Sequence, residues 1–262
     1  MTLTNLGTIN NNTVQTRLNQ SVTTSEPNDI FKFSITNNRS VNLLLTGLSS
    51  TEDADLALYR DRNGDGRLQT FGSNADQLIS TSENGASFDD HINRWRGSGT
   101  YFAVVEQYNS TSPISYDLYV SASQQSILTG PPNTLAREQN LGTLSSDRTS
   151  SGSVGFRADS GTDGFGLNER GDTSDLYYFT LPSGRTANIT LSGLNADADI
   201  RLIRDSDNDR ILDATPNEVV ASSTNTGTTN DTISVSTSGN YYLQVYPYAQ
   251  TNDINYSIRF DV

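Results

Sequence analysis

Two stretches of this sequence carry oxygen-bearing side chains at every second position, the arrangement with which a loop surrounds a hard cation. The first is Asp61-Arg62-Asn63-Gly64-Asp65-Gly66-Arg67 and the second Asp205-Ser206-Asp207-Asn208-Asp209-Arg210-Ile211. Side chains at positions 1, 3 and 5 converge on one point, a glycine at position 6 permits the sharp turn, and the carbonyl of position 7 adds a ligand. The expected calcium ligands are therefore Asp61, Asn63, Asp65 and the Arg67 carbonyl in the first copy. In the second they are Asp205, Asp207, Asp209 and the Ile211 carbonyl, with Asp213 added at position 9. Polar turn residues alone also make such loops, but recurrence at matching places favours calcium. Neither copy is a complete helix-loop-helix site: position 12 is Gly72 or Pro216 rather than a glutamate. Arg210 stands where the first copy has Gly66, which makes the second turn harder. The first loop is accordingly expected to bind more tightly.

Catalytic constellations are missing. The single imidazole, His91, lies in Phe88-Asp89-Asp90-His91-Ile92, whose second copy has Thr232 at that place, and reads as a solvated loop residue. No His-Glu-x-x-His, Gly-x-Ser-x-Gly or phosphate-cradling glycine loop occurs. The pairs Asp53/Asp55 and Asp197/Asp199 read as strand-edge ligands or solvated faces rather than glycosidase carboxylates. The chain is expected not to be an enzyme.

Each acidic loop follows a strand: Ala54, Leu56 and Leu58 alternate with Asp53, Asp55 and Tyr59, the period of a half-buried strand. The whole chain repeats around these loops. Asn5-Leu6-Gly7-Thr8 returns as Asn140-Leu141-Gly142-Thr143, and Asp29-Ile30-Phe31-Lys32-Phe33 as Asp175-Leu176-Tyr177-Tyr178-Phe179. Val41 to Leu48 matches Ala187 to Leu194, Gln77 to Ser80 matches Glu218 to Ala221, Gly99 to Val105 matches Gly239 to Val245, and Tyr116 to Val120 matches Tyr256 to Phe260. Seven or eight short β-branched and aromatic runs per copy, cut by Gly, Asn, Asp and Pro turns, predict an all-β chain: two tandem antiparallel β-sandwich (jelly-roll-like) domains. The predicted organisation is a sandwich with an N-terminal arm over 1–123, a proline-containing linker over 124–134 and a second sandwich over 135–262. The predicted cores are Phe33, Leu45, Leu56, Leu58, Tyr101 and Val105, then Phe179, Leu191, Ile200, Leu202, Tyr241 and Val245. An insertion over 158–173 holds Asp159, Asp163 and Glu169, a weaker candidate cation site, and an Arg170-Gly171-Asp172 tripeptide.

A net charge of −13 argues against nucleic acid as a partner. Of the 17 basic residues only Lys32 is a lysine, and the chain has no cysteine, so disulfides and thiolate metal sites are excluded. No apolar run approaches a membrane span, and Met1 to Gln20 lacks the basic start and apolar centre of a signal peptide. The Asn, Thr, Ser, Asp and Gly richness reads as extracellular or cell-surface.

Taken in order, the Asp-x-(Phe or Tyr)-x-Phe run at Asp29 and Asp175, the Asp-x-Asp run at Asp53 and Asp197, the Gly-x-Tyr strand at Gly99 and Gly239 and the closing Tyr116 and Tyr256 strands resemble the bacterial pre-peptidase C-terminal domain. The resemblance covers nearly the whole chain, twice over. It implies a secreted β-sandwich, with calcium and collagen as ligands of relatives in clostridial collagenases. Two departures stand out: members usually accompany a catalytic domain, and the acidic loop is longer than the plain family pattern. Two functions are expected. One is a structural protein of an extracellular surface or matrix, which could polymerise with itself by lending the Leu3-Leu6-Ile9 arm to a neighbour's sheet. The other is an adhesion module for polysaccharide or matrix protein that uses Tyr108, Tyr246 and Tyr248 as an aromatic platform.

Overall fold

The computed structural model describes residues 2–9, 13–85, 88–108, 113–123, 134–155, 173–213, 217–248 and 253–262. The linker expected at 124–134 and the insertion at 158–173 lie outside them, apart from Thr134 and Thr173. The chain divides into two compact units, Met1–Gln125 and Ser126–Val262, and the described residues contain strands but no helix.

The first unit runs β1 (Thr2–Thr8), β2 (Val14–Val22), β3 (Asn28–Ile35), β4 (Arg39–Thr46), β5 (Ala54–Arg60), β6 (Gln77–Ser82), β7 (Asp90–Arg96), β8 (Gly99–Gln107) and β9 (Ile114–Ser123). The second repeats it as β10 (Gln139–Thr143), β11 (Arg148–Val154), β12 (Asp175–Leu181), β13 (Ala187–Ser192), β14 (Ala198–Ile203), β15 (Val219–Ser223), β16 (Asp231–Val235), β17 (Gly239–Pro247) and β18 (Ile254–Asp261). One sheet of the first unit has the order β1-β3-β8-β5-β6 and the other β2-β9-β4-β7. The second unit's sheets, β10-β12-β17-β14-β15 and β11-β18-β13-β16, are the same orders strand for strand. Both units are sandwiches, and every predicted core residue is buried, with inner faces of both sheets meeting in one cluster per unit. Phe33 stacks on Tyr101 at 5.8 Å between ring centroids, and Phe179 on Tyr241 at 5.6 Å.

Pairing is antiparallel with one exception per unit: β1 runs parallel to β3, and β10 to β12. The repeated Asn-Leu-Gly-Thr run has a physical reason here. The ladder slips at Asn5/Gly7 and at Asn140/Gly142, where Gly7 and Gly142 take φ of 75° and 65°, and the asparagine side chain accepts the glycine N–H at 3.0 Å in both copies. This is a glycine bulge, cheap only without a Cβ. Its effect is to aim Leu6 and Ile9 into the first unit's core. The arm is therefore the edge strand of its own sheet.

Among the described residues each unit has nine strands, more than the runs counted from sequence. The sequence pattern misses β2, β7, β11 and β16. β11, Arg-Thr-Ser-Ser-Gly-Ser-Val, buries one residue and pairs with β18 alone, so it carries no apolar alternation to detect. His91, expected in a solvated loop, instead lies half-buried within β7 opposite Leu44.

Candidate metal centre

The acidic loops leave the C-terminal ends of β5 and β14 and return into β6 and β15. In the first loop the carboxylates serve its own backbone. Asp61 accepts Gly64 N–H at 2.7 Å and Gly66 N–H at 2.9 Å; Asn63 Oδ1 accepts Asp65 N–H at 2.9 Å; Asp65 Oδ1 accepts Arg67 N–H at 2.8 Å. Gln69 and Asn63 amides donate to the other Asp65 oxygen at 2.6 and 3.1 Å. Gly64 and Gly66 take φ of 74° and 71°, and a Cβ on Gly66 would sit 3.2 Å from the Lys32 ammonium.

The second loop copies the backbone with costlier residues. Asn208 and Arg210 hold φ of 60° and 66° at the two glycine places. The strain at Arg210, of order 1 kcal/mol or more, is offset by three contacts. Its N–H reaches Asp205 at 3.2 Å, its Nε donates to the Leu135 carbonyl at 2.8 Å, and its own carbonyl accepts Leu135 N–H at 2.8 Å. Asp207 and Asp209 accept Asp209 N–H at 3.3 Å and Ile211 N–H at 2.8 Å.

The structure gathers Asp205, Asp207 and Asp209 so that one oxygen of each lies within 4.8 Å of the others, and no other acid joins that group among the described residues. Asp213 stays outside it; its backbone binds Glu218 instead. Asp205 Oδ1 is buried with no hydrogen-bond partner. Burial, followed in part by the repulsion of Glu218 and Asp207, pushes the Asp205 carboxyl above its ordinary range. Asp209 is pushed up to about 6 by burial and by Asp207, Asp213 and Asp205. Position 12, Pro216, lies outside the described residues.

Sequence reasoning missed the residues that anchor both loops. Asp76, almost fully buried, accepts Arg62 N–H at 3.0 Å and Gln69 N–H at 2.8 Å, tying the loop's two limbs together. Glu218 does the same with Ser206 N–H at 2.5 Å and Asp213 N–H at 3.1 Å, and also takes the Ser206 hydroxyl at 2.9 Å. With Val219 at the ladder place of Leu78, Glu218 falls at the place of Gln77 rather than of Asp76, its extra methylene making up the distance. The signal was an acid directly ahead of the return strand in both copies. Of the proposed platform, Tyr108 and Tyr248 are exposed at equivalent positions, whereas Tyr246 is half-buried, with Arg201 5.7 Å from its ring centroid.

The residues used for the family resemblance also make contact. Tyr116 donates its hydroxyl to Asp29 at 2.7 Å, and Tyr256 donates to Asp175. The motif's aspartate is thus the acceptor for the closing strand's tyrosine. Residues 173–247 match the family model of the bacterial pre-peptidase C-terminal domain.

The matched residues lie wholly within the second unit. The match runs from β12 to β17, and the first unit repeats those strands in the same order. Among solved structures, the pre-peptidase C-terminal domain of a Bacillus anthracis collagenase is similar at 13% identity and TM-score 0.32, covering 46% of this chain and 95% of that one. The Yersinia pseudotuberculosis-derived mitogen is similar at 16% identity and TM-score 0.28, covering 44% and 89%. Aeromonas hydrophila PliG, a periplasmic inhibitor of g-type lysozyme, is similar at 13% identity and TM-score 0.27, covering 46% and 99%. No curated protein matches the sequence.

Proposed function

We propose that this chain is a non-catalytic, calcium-binding structural protein of the extracellular space or cell surface. The observation that carries the reading is the Asp205-Asp207-Asp209 triad, three carboxylates gathered within 4.8 Å around a buried, unpartnered oxygen. Carboxylates held this close repel one another, and a hard cation with a flexible oxygen shell relieves that repulsion. The ligands would be Asp205, Asp207, Asp209 and the Ile211 carbonyl; the weaker counterpart is Asp61, Asn63, Asp65 and the Arg67 carbonyl. This reverses the order expected from sequence. The first loop has one charge fewer and its Asp61 and Asp65 oxygens already accept hydrogen bonds, whereas Asp205 retains an unsatisfied one. The accessory character of pre-peptidase C-terminal domains supports a role without catalysis, and a secreted setting agrees with the family and the acidic composition.

Polymerisation through the arm loses its main support, because β1 already fills its own sheet edge and buries Leu6 and Ile9 at home. The exposed Tyr108 and Tyr248, at equivalent positions of the two units, favour adhesion to polysaccharide or a matrix protein as the second reading. Thermal melting of the full chain with calcium and with chelator tests the calcium reading. We expect a higher melting temperature with calcium, by mass action on the folded state, and a smaller gain in Asp205→Asn. An unchanged melting temperature up to millimolar calcium refutes it.

A further inference from the structure

A second group of acids recurs in both units, Asp53 and Asp55 beside β5 with Asp90 on β7, and Asp197, Asp199 and Asp231 at the matching places. Asp53 and Asp55 lie two residues apart, at the start of β5, so both project from its outer face. Asp55 faces Glu106 directly across the ladder, a pairing of like charges that costs stability. Asp90, the first residue of β7, comes in from the other sheet and is fully buried. One of its oxygens accepts the Ser82 hydroxyl at 2.6 Å and Asn84 N–H at 2.9 Å. The other, Oδ2, is buried and accepts nothing, and so is Asp53 Oδ1.

The second unit reproduces this atom for atom. Asp231 is fully buried, accepts the Ser223 hydroxyl at 2.6 Å and Asn225 N–H at 2.8 Å through Oδ1, and leaves Oδ2 buried and unpartnered. Asp197 Oδ1 is again a buried orphan, and Asp199 is only 2% exposed. The same two orphan oxygens recur at equivalent positions of both units, so one cause must serve both. Buried acceptors without donors are costly, and a cation is the group that serves several at once.

We propose that each unit holds a second divalent-cation site, separate from the acidic loop, formed by Asp53, Asp55 and Asp90 in the first unit and by Asp197, Asp199 and Asp231 in the second. These carboxylates are set wider than the 4.8 Å loop triad, so the ion keeps part of its water shell between them. The electrostatics agree. Burial first, then neighbouring acids, pushes Asp199 up to about 7 and Asp55 up to about 6. Asp90 is pushed up to about 7 by burial, with Asp55 adding to it. The cationic side chains nearby do not replace a metal: His91 is the last and opposing influence on Asp90, and Arg201 donates to Gln244 and lies over Tyr246. The site ties the start of β5 or β14 in one sheet to the start of β7 or β16 in the other, so its ion clamps the sandwich at that end.

Equilibrium dialysis of the full chain against calcium alone, and separately magnesium alone, tests this independently of the loops. The unchanged chain should bind about four ions, two at loops and two at these clusters, through oxygen ligands. A loop-disabled chain (Asp61→Asn, Asp65→Asn, Asp205→Asn and Asp209→Asn) should keep two. Asp90→Asn with Asp231→Asn should lose two. Asp55→Asn with Asp199→Asn, whose carboxylates hold no hydrogen bonds, guards against misfolding. It should also lose ions while melting, in chelator, no lower than the unchanged chain, because a merely structural carboxylate would lower that melting point. The proposal is overturned if the loop-disabled chain binds neither metal, or if both cluster variants bind as many ions as the unchanged chain. If the cluster variants lose ions that the loop-disabled chain keeps in full, this site stands and the loop reading fails.

Discussion

Removing one hydroxyl from the closing strand of each unit should cost different amounts, although the substitution is the same. Tyr116 and Tyr256 are both buried, and phenylalanine fills nearly the same space, so the cost is the lost hydrogen bond and the acceptor left behind. Tyr116 donates at 2.7 Å to Asp29, a half-exposed carboxylate that water can reach once the hydroxyl is gone. Tyr256 donates to Asp175, only 5% exposed, and its oxygen also lies 2.8 Å from the Tyr177 hydroxyl. There is no room for water there: a Cβ added at Gly152 would lie 2.5 Å from the Tyr256 oxygen and 2.6 Å from Asp175 Oδ2. Hydrogen bonds to charged groups are worth about 1.5–3 kcal/mol, so Tyr116→Phe should cost about 1.5 kcal/mol and Tyr256→Phe about 3 kcal/mol. At about 4 °C per kcal/mol for units of this size, the melting temperatures should fall by about 6 °C and about 12 °C. The single tryptophan, Trp95, is in β7, so its fluorescence reports the first unit alone while far-ultraviolet circular dichroism reports both. Tyr116→Phe should move the fluorescence transition, and Tyr256→Phe only the remaining dichroism. A Tyr256→Phe cost equal to or below that of Tyr116→Phe would refute the reasoning from solvent access.

Tyr256 also sets an alkaline limit. Burial, then Asp175, holds its hydroxyl protonated well above the ordinary tyrosine range, so above about pH 10 the unfolded chain releases a proton that the folded chain keeps. Stability should fall as pH rises past that point, by up to about 1.4 kcal/mol per pH unit from this group; urea midpoints at pH 9 and 11 should differ less in Tyr256→Phe. Leu58→Ala and Leu202→Ala, at fully buried core positions, should each cost about 2–5 kcal/mol in denaturant unfolding, and a loss well below 1 kcal/mol would remove either from the core. Gly152→Ala should destabilise the second unit by about 1–3 kcal/mol through overpacking against Tyr256, with the Trp95 transition unmoved. Glu218→Gln should shrink the calcium-dependent rise in melting temperature, because it weakens the charge-assisted bonds that join the loop's limbs.

Alternation alone determined much of this protein. Ala54-Leu56-Leu58 and Ile200-Leu202 are buried as their period requires, since side chains two apart share a face and only one face can be apolar. The repeat likewise settled that whatever one half folds into, the other folds into as well. The spacing of the acids in the loops is local too, because a turn of six or seven residues is closed by hydrogen bonds among those same residues.

Tertiary structure decided everything that depended on partners far along the chain. The polar strand β11 exists because β18 offers it a ladder, not because its own residues demand one. Arg210 can occupy a glycine conformation because Leu135, some seventy-five residues away, accepts its guanidinium. Asp76 and Glu218 are anchors only once the return strand brings them under the loop's open N–H groups. Asp90 feels the charge of Asp55, and Asp199 that of Asp231, only because folding brings the two sheets of a unit together. A carboxylate's meaning is set by which donors and charges surround it, and those surroundings arise by folding rather than by sequence proximity.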